Sequence, residues 1–236
     1  AGLSNGTLKF VNVTGNTAEI INTISRATGI TSGTRFTLSS TSSTTFSRPE
    51  DGCWNPLNPN QYYFVTTDQL DKASDGLGTQ IGMTRLWRLT FDSITNPDLG
   101  GKIDLLIDGA TVNGVKVNMF DNITADKFGN LILLEDVGNA AHNGKVWRYN
   151  VFTNTLTMIA KHDPARFGDV TIAATSPFNQ DEETSGVIDA SDILGSGMNL
   201  IVDQAHYSIT GQAVEGGQLL AMYVPALVGP SVATAK

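Results

Sequence analysis

Arg85-Leu-Trp-Arg-Leu-Thr-Phe91 and Lys145-Val-Trp-Arg-Tyr-Asn-Val151 are two versions of one segment, with Trp87 and Trp147 sixty positions apart. Each is followed by another strand-like run, Lys102–Ile107 or Thr155–Lys161. Each is preceded by an apolar run ending in acids, Tyr62-Tyr-Phe-Val-Thr-Thr-Asp68 or Leu131-Ile-Leu-Leu-Glu-Asp136. Asn199-Leu-Ile-Val-Asp-Gln204 and Gln218–Val224 take the same two places a third time. Such self-similarity marks architectures whose unit buries its faces only against neighbouring units.

Around these segments, short β-branched and aromatic runs alternate with Gly, Asn, Asp and Pro, the pattern of antiparallel all-β structure. Further strands are expected at Leu8–Val13 and Thr34–Leu38, and a helix only at Thr17–Ala27. A β-sandwich is built from similar strands; the repeat favours a β-propeller with three to four blades in residues 1–227, followed by a flexible tail at 228–236. Propellers close with four to eight blades, so a missing N-terminal half or a companion chain is expected to complete the ring. The start at Ala1 fits a processed chain or a fragment.

With 15 Lys+Arg against 23 Asp+Glu, the 236-residue chain carries a net charge of −8. It offers no basic stripe to a phosphate backbone, which argues against nucleic acid. No apolar run approaches the roughly 20 residues that cross a bilayer. Cys53 is the lone cysteine, so no internal disulfide forms. His142, His162 and His206 belong to no HExxH or paired Cys/His pattern, GxSxG and P-loop motifs are absent, and Gly76-Leu-Gly-Thr-Gln-Ile-Gly82 misses the dinucleotide spacing. The Asn-x-Thr sequons at Asn5, Asn12 and Asn122 decide nothing.

Cations are the expected partners. Acidic clusters stand at Arg48-Pro-Glu-Asp-Gly52, at Phe120-Asp-Asn-Ile-Thr-Ala-Asp126 with Glu135-Asp-Val-Gly-Asn139, and at Asp181-Glu-Glu-Thr-Ser-Gly186. Calcium takes six to eight oxygens from carboxylates, amides and carbonyls, which makes Glu50, Asp121, Asn122, Glu135, Asp136 and Glu183 candidate ligands. Acidic turns also arise because Asp and Asn cap them. Side chains alternate along a strand, so one of each adjacent pair is expected to face the axis, Glu135 and Glu183 being preferred. Arg48 is the candidate phosphate grip and His206, at a strand end, the candidate acid or base. Arg166 is a second possible grip, Trp54 a possible stacking surface, and Trp87 and Trp147 core.

Taken together, Arg48-Pro-Glu-Asp-Gly52, Asp121-Asn-Ile-Thr-Ala-Asp-Lys-Phe-Gly-Asn-Leu131, Glu183-Thr-Ser-Gly186 and Asp203-Gln-Ala-His206 resemble, in this order across residues 45–225, the PhoX-type alkaline phosphatases and their uncharacterised relatives. The resemblance implies a secreted or periplasmic bacterial protein, a six-bladed propeller, and a site at one end of its axis where acidic residues hold calcium and iron. By motif, Glu50 matches the family's Arg-Pro-Glu metal ligand, Glu183 the Glu of its Glu-x-Thr-Gly-like segment, and Asp121 the acid opening a central blade. Cys53 does not match the family's iron-bridging cysteine. The implied activity is metal-dependent hydrolysis of a phosphorylated small molecule, with a non-catalytic calcium-binding propeller as the alternative.

Overall fold

A computed structural model describes residues 6–68, 82–138 and 140–225. The tail expected at 228–236, Asn5 and most of Gly76–Gly82 lie outside the described residues. Strands β1 (Phe10–Val13), β2 (Thr34–Ser39), β3 (Pro49–Trp54), β4 (Gln61–Thr66), β5 (Arg85–Phe91) and β6 (Gly101–Asp108) form one antiparallel sheet in the order β1-β2-β6-β5-β4-β3. A short hairpin follows, β7 (Thr111–Val112) and β8 (Val115–Lys116). Strands β9 (Phe120–Ala125), β10 (Asn130–Glu135), β11 (Lys145–Asn150) and β12 (Thr155–Lys161) make a four-stranded antiparallel sheet in sequence order. The third sheet is β13 (Glu183–Asp189), β14 (Met198–Ser208) and β15 (Glu215–Tyr223). Single-turn helices α1 (Pro164–Phe167) and α2 (Ser191–Leu194) sit in the connections.

The middle sheet is covered on both faces, and the sequence shows why. Leu131 and Leu133 of β10 pack with Tyr63, Val65 and Leu86 of the first sheet, whereas Ile132 and Leu134 pack with Ile201 of the third. Every residue of β10 and β11 is buried. A strand buried on both faces reads as a continuous apolar run rather than an alternating one, which accounts for Leu131-Ile-Leu-Leu134.

The tryptophan repeat is structural. Trp87 pairs with Phe64 and Leu105, Trp147 with Leu133 and Met158, and a register shift precedes each tryptophan at the same step, Leu86/Trp87 and Val146/Trp147. Both indoles are fully buried and need a partner for Nε1–H. Trp87 donates to Thr66 Oγ1 at 3.1 Å and Trp147 to Glu135 Oε1 at 2.7 Å. Thr66 and Glu135 each stand two residues beyond the register partner of their tryptophan.

The helix expected at Thr17–Ala27 is absent. Glu19 N–H donates to Thr45 O and Gly29 N–H to Glu19 O, while Asn22 Oδ1 accepts from the N–H groups of Ile24 and Ser25. Thr17, Ile20, Ile21, Thr23 and Ile24 are β-branched and weak helix formers. Glu19, wholly buried, is drawn away from any helical repeat by Arg85 Nη1 at 2.9 Å, Ser47 N–H at 2.8 Å and Thr66 Oγ1–H at 3.1 Å.

Candidate functional site

β3, β9 and β13, the strands on which the acidic motifs fall, are neighbours: β9 packs beside both β3 and β13. Their ladders explain how such segments become strands despite low β-propensity. Gly52 closes a register shift in β3, and a Cβ there would stand 2.7 Å from the Tyr63 carbonyl oxygen. Asp51 accepts from Gly52 N–H at 2.7 Å and from Ile123 N–H at 3.1 Å, tying β3 to β9. Asp126 holds the β9–β10 turn, accepting from the N–H groups of Phe128 and Asn130 at 2.8 Å each.

Asp121 thereby comes into electrostatic reach of Glu50, Asp136 and Glu183, and Asp136 of Glu183, with Arg48 beside them. Asp136 follows β10 and forms an antiparallel bridge with Glu183, linking the second and third sheets. The Asp121 carboxyl is pushed up to about 7, first by burial and then by the negative charge of Asp136, Glu50 and Glu183, with Arg48 opposing. Asp136 is raised too, by burial and then by Glu183, against a 2.8 Å hydrogen bond from Gly138 N–H. Arg48 takes a left-handed φ of 54° at the entry to β3, and its Nη2 lies 3.3 Å from Glu50 Oε1, both side chains partly exposed.

His206, also left-handed at φ 47°, sits at the rim of this group. Its Nδ1 is 2.8 Å from Glu215 Oε2 and its Nε2 3.4 Å from Glu183 Oε2, while Ser185 Oγ–H donates to Glu183. Burial lowers the imidazole pKa, but hydrogen bonds to Glu215 and Glu183 outweigh it and hold the ring above its ordinary value. Asn122, next along β9, faces the other side of the strand, and its Oδ1 is buried without a hydrogen-bond partner.

Glu135, preferred to Asp136 in the sequence, lies apart from this group. It is fully buried and accepts from Asn118 N–H at 2.7 Å, Trp147 Nε1–H at 2.7 Å, and Lys145 N–H and Nζ at 3.1 Å each. The cause is the repeat: Glu135 stands where the first sheet has Thr66, and its carboxylate does for Lys145 and Trp147 what Glu19 does for Arg85 and Thr66. Glu182 likewise turns inward. It accepts from Gly144 N–H at 3.2 Å, and burial, foremost among several influences, pushes its carboxyl up to about 7. His162 is clamped between Gly144 O and Asp203 Oδ1, 2.6 Å from the latter.

The remaining candidates separate cleanly. Arg166 is mostly exposed, over the Phe178 ring and 3.6 Å from Asp163. Trp54 is half-exposed against Tyr62, and the Cys53 thiol is pushed up to about 12 by burial and then by Asp51, out of the nucleophilic range at neutral pH. Glu215, the partner of His206, and Glu19, the partner of Arg85, carry no sequence motif that singles them out.

The donor types of the cluster, carboxylates with an arginine at their edge, suit a hard oxygen-seeking cation such as calcium. Nothing in them selects iron. Among the described residues no group of three or more His, Cys, Asp or Glu side chains already stands at metal-holding spacing, so chelation would require side-chain rotation. No helix among the described residues is long and apolar enough to cross a membrane. Comparison with protein-family models finds no match, and a search of the curated proteins finds none either.

Proposed function

We propose that the three sheets are successive blades of a secreted or periplasmic β-propeller and that Glu50, Asp121, Asp136 and Glu183 bind a divalent cation, calcium, on the edge where the first strands of the blades meet. The observation that carries this reading is the adjacency of β3, β9 and β13, which gathers carboxylates from three sheets. Carboxylates gathered together repel one another unless a proton or a cation intervenes, and the raised carboxyls of Asp121 and Asp136 reflect first their burial and then this repulsion.

Arg48 extends the reading to phosphate esters. A bound cation would supply charge neutralisation to phosphoryl oxygens. Arg48, partly exposed beside Glu50, offers paired N–H donors to the same group. His206, whose carboxylate partners at both ring nitrogens hold the imidazole above its ordinary pKa against the lowering effect of burial, would offer a proton to a leaving group. The test is hydrolysis of an aryl phosphate by the intact protein, with calcium, with calcium plus iron, and with chelator. Glu50→Ala should abolish turnover and leave the fold intact. Absence of turnover under every metal condition would reject the enzymatic reading.

The Asp136–Glu183 bridge favours a second reading, in which the cation joins the second and third sheets without catalysis. That reading predicts a chelator-induced fall in melting temperature, and a Glu50→Ala protein that loses stability.

A further inference from the structure

Away from the acidic edge lies a cavity of about 330 Å³ bordered by the β7–β8 hairpin, the start of β11 and the end of β12. Lys116, Lys145 and Lys161 reach it from separate elements, with His142 and one acid, Asp169, also in its wall. Lys145 is mostly buried; its Nζ binds Glu135 at 3.1 Å and Asn143 O at 2.7 Å, leaving one of its three donors uncommitted. Lys161 is exposed at the end of β12.

Asn118 decides what the cavity recognises. It is 1% exposed, and neither its Nδ2 nor its Oδ1 has a hydrogen-bond partner. Its backbone N–H is committed to Glu135 Oε1 at 2.7 Å, so the residue is fixed in place. A buried amide with both ends unpaired is costly, and a ligand bearing an acceptor beside a donor satisfies both ends at once. Lysines require that ligand to be an anion.

We infer that this cavity binds a hydrogen phosphate group, free or as a phosphomonoester: an oxyanion oxygen accepts from Asn118 Nδ2 and from the lysines, and the phosphate hydroxyl donates to Asn118 Oδ1. The inference does not rest on the cation reading, since no acid of that cluster lines the cavity.

Calorimetric titration of the intact protein with inorganic phosphate, at low ionic strength and with chelator present, tests it without any bridging cation. Saturable binding at one site is expected. Sulfate, which has no proton to donate at neutral pH, should bind at least about tenfold more weakly, the equivalent of one charge-assisted hydrogen bond. Asn118→Leu should lose phosphate affinity by a similar factor while melting no lower than the parent, because it removes an unpaired amide. Lys161→Ala, at an exposed position, should weaken binding, and it decides the matter should Asn118→Leu fail to fold. Glycerol phosphate binding as tightly as phosphate identifies an ester head group; weaker binding identifies the free ion. No saturable phosphate binding, equal affinity for sulfate, or unchanged affinity in Lys161→Ala or a folded Asn118→Leu would overturn the inference.

Discussion

Replacing Asp121 by Asn is expected to stabilise the cation-free protein at alkaline pH and leave it unchanged in acid. The Asp121 carboxyl sits at about 7 in the fold against an ordinary 3.8, because burial and then Asp136, Glu50 and Glu183 oppose its ionisation. A carboxyl whose folded pKa is raised binds more protons folded than unfolded, so stability falls as pH climbs from about 4 and the loss is complete above about 7. At 1.36 kcal/mol for each tenfold change in proton affinity, that displacement corresponds to about 4 kcal/mol. The side chain is partly exposed and screened by solvent, which reduces the expected effect to about 1–2 kcal/mol. Asn, uncharged throughout, escapes the loss. Urea denaturation of both proteins in chelator should give equal stabilities near pH 4 and a gap of about 1–2 kcal/mol in favour of Asp121→Asn at pH 8. A difference that does not vary with pH, or an Asp121→Asn protein less stable at pH 8, would refute the burial of Asp121 among these charges.

Two further outcomes follow from the buried groups. Lys145→Met leaves the fully buried Glu135 without its countercharge and should cost about 3–5 kcal/mol in denaturant unfolding, whereas Glu135→Gln combined with Lys145→Met, which keeps an acceptor for Trp147 and Asn118 without the charge, should recover much of that loss; a near-neutral single variant would contradict the structural role given to Glu135. Cys53, with its thiol pushed up to about 12, should resist alkylation at pH 8 in the native protein and react readily in urea; rapid native labelling, followed by mass spectrometry, would contradict the packing of β3.

The inner strands of the first two sheets were legible because their patterns are strong: the tryptophan repeat marked β5 and β11, and the runs before them marked β4 and β10. The motif-bearing β3, β9 and β13 did not read as strands, since Pro49, Gly52 and their acids disfavour extended pairing locally and the ladders are supplied by neighbours distant in sequence. Side-chain alternation showed that only one of Glu135 and Asp136 would face the acidic edge. It did not show which, because the answer depends on the indole of Trp147 needing an acceptor across the ladder. Thr17–Ala27 misled for a related reason: burial of Glu19 against Arg85, a partner distant in sequence, sets the path of this segment.

Titration of the intact protein with calcium bears most directly on the acidic edge. At pH 8 one saturable binding event is expected, accompanied by a rise in melting temperature that chelator reverses, weaker at pH 5.5 where Asp121 holds its proton, and lost in Asp121→Asn and Glu183→Gln. A parent protein that takes up no calcium at pH 8, or one whose affinity both substitutions leave intact, would contradict a cation site built from Glu50, Asp121, Asp136 and Glu183.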